Sequence, residues 1–136
     1  MLTDARGVPL GIAIAGANTH DQKLVAETLD SIPVRRPRSQ GRRRQHLCLD
    51  KGYVGKPVQR LAERRGYQPH APQRGTDEKP HHKAGRARRW VVERAHSWTN
   101  RARRLLTRWE KKADNYLAFV HLQFAYVALN AAGVMG

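Results

Sequence analysis

Arg89-Trp90-Val91-Val92-Glu93-Arg94-Ala95-His96-Ser97-Trp98 lies at the heart of a basic segment spanning residues 86–112. Val91, Ala95, Trp98, Ala102, Leu105 and Trp109 recur at steps of four and three, which predicts one continuous helix with a single buried face. At roughly 100° per residue, Glu93 falls nearly opposite that stripe. Arg86, Arg89, Asn100 and Arg104 share its side. One carboxylate in the middle of a basic face has two readings. It is a salt-bridging residue on a solvated helix, or a metal-binding carboxylate among phosphate-binding arginines. The segment by itself leaves both open.

The rest of the composition bears on that choice. The chain has 136 residues, enough for one domain with one core. Lys and Arg number 26 against 11 Asp and Glu, a net charge of +15. Arg predominates, and Arg is the better bidentate ligand for phosphate. A small domain this basic points to nucleic acid as its partner. The basic residues are not confined to one amphipathic helix, which argues against an anionic membrane surface. The lone Cys48 excludes an internal disulfide and a multi-cysteine zinc site, and its place in an apolar run predicts a buried, inert thiol. Residues 1–4 show neither a basic nor an apolar leader region. Residues 117–135 are apolar for long enough to raise a membrane span. His121, Gln123 and Asn130 interrupt them, so the prediction is a buried core helix and a cytoplasmic protein.

Working outward, Leu2 to Asp4 reads as the tail of a strand, and Asp4-Ala5-Arg6-Gly7 as a tight turn. Residues 9–17 read as the returning strand. Thr19 and Gln22 suit the two ends of a capping box, opening a helix with Leu24, Val25, Leu29 and Ile32 on its apolar face. Pro33 ends it. Residues 34–45 are arginine-rich and predict an exposed loop, either a solvated linker or a contact for phosphate. His46-Leu47-Cys48-Leu49 predicts a buried strand, with Asp50-Lys51-Gly52-Tyr53 at its carboxyl end. That is where α/β sheets place their chemistry. A helix over 55–65 carries Val58 and Leu61 inward and stops at Gly66. Residues 67–72 form a short strand, and residues 73–85 a polar, basic connection. Asp114-Asn115 separate the basic helix from a last apolar helix over 116–132. The order predicts an α/β fold, a mixed sheet flanked by helices.

Phosphodiester chemistry by divalent metal ions needs carboxylates on rigid elements that converge on the ions. Asp50 at a strand end and Glu93 on a helix meet that need. Their immediate neighbours, Lys51, Arg89 and Arg94, suit phosphate. His81 and His82, with His70 upstream, raise structural zinc, but adjacent histidines chelate poorly without a helical spacing or cysteine. Tyr53, Trp90 and Trp98 are candidates for stacking on bases. Trp98 belongs to the apolar stripe, so Trp90 is the better candidate. No glycine-rich phosphate loop or nucleophile elbow is present.

These residues carry a resemblance. The chain resembles the C-terminal part of bacterial insertion-sequence DDE transposases of the insertion sequence five type, within the four/five superfamily. One block is Leu2-Thr3-Asp4-Ala5-Arg6-Gly7-Val8-Pro9-Leu10, leading into Gly16-Ala17-Asn18-Thr19-His20-Asp21. Another is Leu49-Asp50-Lys51-Gly52-Tyr53, similar to the segment holding the family's second catalytic Asp. The last is Arg89-Trp90-Val91-Val92-Glu93-Arg94, similar to the segment holding its catalytic Glu.

The resemblance implies that residues 1–136 are a partial catalytic domain. It also implies a ribonuclease-H-like mixed sheet flanked by helices, with its first strand missing and two C-terminal helices. Asp50 and Glu93 would bind Mg²⁺ or Mn²⁺. Lys51, Arg86, Arg89, Arg94, Arg101 and Arg104 would contact DNA, both the transposon ends and the target. Two departures stand out. The family's signature has Tyr three positions before the Arg and Lys seven positions after the Glu. Arg86 and Asn100 stand there instead, with Arg101 adjacent to supply a charge. The first catalytic Asp belongs to a strand that would precede Leu2, and neither Asp4 nor Asp21 matches it. The expectation is two of three carboxylates, no catalysis alone, and pairing with an upstream half of the transposase or with further copies. The alternative from another class is a non-enzymatic basic nucleic-acid-binding protein.

Overall fold

The structure, a computed structural model, describes residues 1–37, 45–71 and 89–134. It divides into two compact units. The first comprises Met1–Ile14, Glu27–Pro33 and Arg88–Gly136, and the second Ala15–Ala26 and Val34–Ala87. The described strands hydrogen-bond as two pairs, one in each unit, where the sequence led us to expect one mixed sheet. The coarse expectation of α/β composition stands.

In the first unit, strands β1 (Leu2–Thr3) and β2 (Pro9–Gly11) form an antiparallel hairpin. Asp4 makes the turn. Its Oδ1 accepts from the backbone N–H groups of Arg6 and Val8, each at 2.8 Å. Gly7 completes the turn at φ 91°. The second strand stops at Gly11, earlier than residue 17. Beyond it the Ile12 N–H donates to Ser31 Oγ at 2.8 Å, at the end of helix α1 (Val25–Asp30), leaving the ladder for a side-chain partner.

Three helices follow in this unit. They are α3 (Arg89–Asn100), α4 (Arg103–Leu106) and α5 (Ala113–Ala131). The expected single helix over 86–112 is therefore broken, and the break has a local cause. Thr99 Oγ1 bonds back to the Ala95 and His96 carbonyls at 3.1 and 2.9 Å, a pattern that competes with helix continuation. Gln123 Nε2 on α5 donates to the Trp98 carbonyl at 3.1 Å, satisfying a terminal acceptor from outside. Ala102 then turns extended, at φ −80° and ψ 104°. The apolar stripe holds only over its first turns. Val91 and Ala95 are buried, but Trp109 is 76% exposed. Asp114 sits in the first turn of α5 rather than breaking a helix, where its charge suits the positive helix end.

Val8, Leu29, Val91, Ala95, Val120, Phe124 and Val127 form this unit's core. Helix α3 packs on β1, α4 and α5, and α5 also packs on β2. Gly7 is required where the hairpin meets α3. A Cβ there would lie 3.0 Å from the Val91 carbonyl oxygen and 3.3 Å from Arg94 Cδ, at a φ that L residues rarely adopt. Gly7→Ala is expected to cost about 1–3 kcal/mol, read as a lowered urea midpoint. Gly133→Ala, also at positive φ but in open space, should cost less.

In the second unit, β3 (Gln45–Cys48) and β4 (Tyr67–His70) pair in parallel, with Leu47 opposite Pro69 and Cys48 opposite His70. Helix α2 (Lys56–Arg64) crosses between them, with Val58 and Ala62 fully covered and Leu61 only half-buried. Gly66 at φ 78° reverses the chain into β4. Period-2 alternation in β3 turns Leu47 inward and His46 and Cys48 outward, so Cys48 is exposed, not buried as its apolar neighbours suggested. Among the described residues, no helix is long and apolar enough to cross a membrane.

Candidate active site

The two carboxylates singled out by the sequence, Asp50 and Glu93, belong to different units.

Asp50 follows β3 directly and caps a 3₁₀ turn, Lys51–Tyr53. Its Oδ1 accepts from the Lys51 N–H at 2.6 Å, and its carbonyl accepts from the Tyr53 N–H at 2.9 Å. The carboxylate is thus exposed but held at the end of a strand. A second 3₁₀ turn, Asp21–Leu24, packs against this one. Gln22 Nε2 donates to the Gly52 carbonyl at 2.7 Å. The cap of that turn is His20, whose Nδ1 accepts from the Gln22 N–H at 3.3 Å. Gln22 therefore reaches forward to Gly52, and His20 takes the capping place expected of Thr19.

This packing brings Asp21 and Asp50 to bear on one phenol, that of Tyr53. The Tyr53 phenol is pushed above its ordinary range, first by burial, then by the charges of Asp21 and Asp50. Sequence reading set Asp21 aside as a helix start, and nothing local signals that it shares a neighbour with Asp50. The folded chain holds the Tyr53 proton to higher pH than the unfolded chain does. The linked stability is intact below the unfolded pKa and is lost as pH rises through the folded value. Tyr53 should titrate late in an ultraviolet phenolate titration. Tyr53→Phe should remove that late phase, and Asp21→Asn should bring it earlier.

Glu93 lies in the second turn of α3 with an exposed side chain. The guanidinium of the next residue, Arg94, sits over the Trp90 ring at 4.7 Å and the Trp98 ring at 5.8 Å. Contacts of this kind fix a cation in place, and the hairpin turn at Gly7 packs against the same side chain. Trp90 is 43% exposed, as expected of a residue off the apolar stripe.

The other predicted DNA contacts are placed unequally. Lys51 is exposed in the turn after Asp50. Arg101 is exposed in the break after α3. Arg104 is on α4, so it no longer shares a continuous helical face with Glu93. It lies over the Phe119 ring at 4.6 Å and 3.8 Å from Glu110 Oε1. Arg86 lies outside the described residues, as do His81, His82 and the arginines at 38 and 42–44; the Arg89 side chain is likewise outside them.

A pair that sequence reasoning missed lies on the outward face of the β3–β4 sheet. His46 Nδ1 and His70 Nε2 are 2.6 Å apart, with the rings stacked at 4.9 Å. Their separation in sequence hides a contact that only strand register creates. Among the described residues, no group of three or more His, Cys, Asp or Glu is placed to hold a metal ion. Exposed carboxylate oxygens such as those of Asp50 and Glu93 are chemically suited to hard divalent cations.

Comparison with known proteins places the chain in a class. The family described as "Transposase DDE domain" matches residues 47–130, a span that includes both Asp50 and Glu93, and the chain belongs to that family. It is also 35% identical over 133 residues to a Burkholderia cepacia protein described as "Putative transposase for insertion sequence element IS402". That match takes in 96% of this chain and 61% of the relative, so the chain spans less than two thirds of the relative's length. No solved structure matches it significantly.

Proposed function

We propose that this chain supplies part of a ribonuclease-H-like catalytic domain that cuts and rejoins DNA at the ends of an insertion sequence. The observation that carries the reading is the family match across both Asp50 and Glu93. Their settings support it: one carboxylate ends a strand and the other stands on a helix beside a fixed arginine.

In this reading Asp50 and Glu93 hold Mg²⁺ or Mn²⁺, which when bound supplies Lewis acidity for attack on a phosphodiester. The backbone of the Lys51–Tyr53 turn orients the Asp50 carboxylate through the Lys51 N–H. Arg94, held by Trp90 and Trp98, presents charge to the DNA backbone, with Lys51, Arg86, Arg89, Arg101 and Arg104 as further phosphate contacts. Trp90 offers a ring face to a base. The resemblance implies three carboxylates, and these 136 residues contribute two. Cleavage is therefore proposed for a polypeptide or complex that also supplies the first Asp, with its strand.

The test is cleavage of a labelled insertion-sequence end by such a completed protein. Metal-dependent nicking at the end is the expected result. Tight DNA binding with no metal-dependent nicking would instead favour a non-enzymatic basic binding module.

A further inference from the structure

Trp109 was expected on the buried stripe of one long helix. Among the described residues it is instead the most exposed of the large apolar side chains, at 76%. It stands in the connection between α4 and α5. Arg94 covers the rings of Trp90 and Trp98, whereas among the described residues Trp109 has no such partner. The connection itself is braced. The Tyr116 hydroxyl donates to the Leu105 carbonyl at 3.5 Å. Arg108 Nε donates to the Glu110 carbonyl at 3.1 Å, and the Arg108 guanidinium lies over the Tyr116 ring at 5.3 Å. An indole displayed on a braced turn loses less freedom on binding than one on a loose loop.

The charges around it are one-sided. Arg101, Arg103, Arg104, Arg108, Lys111 and Lys112 are all exposed. The one acid between them, Glu110, turns inward. Its side chain is only 10% exposed, with Oε1 at 3.8 Å from Arg104 Nε. Its Oε2 is buried with no hydrogen-bond partner among the described residues. The outward side chains of residues 101–112 are therefore cations, with Leu106 and Trp109 exposed among them.

We propose that Trp109 is a stacking platform for an unpaired base of single-stranded DNA, with the surrounding cations holding the phosphates of that strand. An exposed indole calls for a flat apolar partner, and a run of cations calls for a polyanion. A single nucleic-acid strand supplies both at once. Duplex DNA does not, because its base faces are hidden in the stack and it presents phosphates and groove edges. An anionic membrane suits an amphipathic helix with one apolar face. Helix α4 is four residues long and exposes Arg103, Arg104 and Leu106 together. Leu122 and Leu129, exposed on a helix expected to be buried, have no ring face to offer. The inference rests on the reading of DNA as partner and deepens it by naming the state of the strand.

The experiment is fluorescence anisotropy of the whole chain with labelled oligothymidylate and with a duplex of equal length, over a range of salt. Trp109→Ala should weaken single-strand binding about 5- to 100-fold and leave duplex affinity nearly unchanged. Trp109→Phe should retain most of the single-strand affinity. Trp109→Leu should not, since it is apolar but has no π face. None of these variants loses a charge, so the slope of log affinity against log salt should stay that of the parent. Arg103→Ala should instead lower it by about 0.7 on the single strand. The site is exposed, so the circular dichroism of the Trp109 variants should match the parent's. Unchanged single-strand affinity in Trp109→Ala would overturn the proposal. So would an equal loss on the duplex, or full affinity in Trp109→Leu. Loss of binding to phosphatidylserine vesicles with DNA affinity intact would assign the indole to a membrane instead. A parent chain that binds neither DNA would remove the reading of DNA as partner, and this inference with it.

Discussion

Replacing Asp50 by Asn, or Glu93 by Gln, in a protein completed by the first catalytic strand is expected to lower strand cleavage by on the order of 10³-fold or more. Removing a metal-holding carboxylate forfeits several kcal/mol of transition-state stabilisation, and each ~1.4 kcal/mol is a factor of ten. DNA affinity should change little, or rise slightly as a negative charge is lost near phosphate. That separation of effects distinguishes a metal-holding role from a structural one. Neither residue is in the core, and both side chains are exposed, so neither substitution leaves a cavity or a buried unpaired charge. Circular dichroism should remain that of the parent. If cleavage survives both changes, the carboxylates have been assigned wrongly; if DNA binding collapses instead, they serve the fold.

The second large effect concerns salt. A chain with a net charge of +15 that neutralises several phosphates releases as many counterions. Its affinity for duplex DNA is expected to fall by about 10³–10⁵ between about 50 and 200 mM salt. Individual arginines should differ in a way set by their surroundings. Arg94 is fixed over two tryptophan rings, and Arg101 is exposed in the break after α3. Neutralising either should reduce the slope of log affinity against log salt by about 1. Arg104, beside Glu110 and over Phe119, is partly neutralised already and should change the slope less. Equal slopes for the three variants would contradict this ordering.

Much of the architecture was legible because the signals were local. The Asp4–Gly7 turn follows from an Asp that accepts from its own turn and a Gly that supplies positive φ. The strand before Asp50, the helix ending near Gly66 and the strand after it follow from short apolar runs with clear punctuation. The features that are not legible depend on residues distant in sequence. Periodicity alone could not show that Thr99 would bond backwards, or that Gln123 would reach the Trp98 carbonyl from another helix. The stripe therefore predicts a helix that runs through the break with Arg104 on the Glu93 side, whereas α3 ends at Asn100 and Arg104 lies on α4. The burial of Cys48 was misjudged because a short apolar run does not say which alternate residues face a covering helix. The candidate carboxylates were legible as types at suggestive positions. The link between Asp21 and Asp50 through Tyr53 was not, since it arises from two turns packed together.

The central claim is that Asp50 and Glu93 are metal ligands. Its most direct test is Mn²⁺ binding, followed by electron paramagnetic resonance, to the completed protein on an insertion-sequence end. The parent should hold Mn²⁺, and Asp50→Asn and Glu93→Gln should each weaken that binding at least about tenfold, the weight of ~1.4 kcal/mol. Mn²⁺ binding unchanged in both variants would contradict the assignment, whatever their cleavage activity.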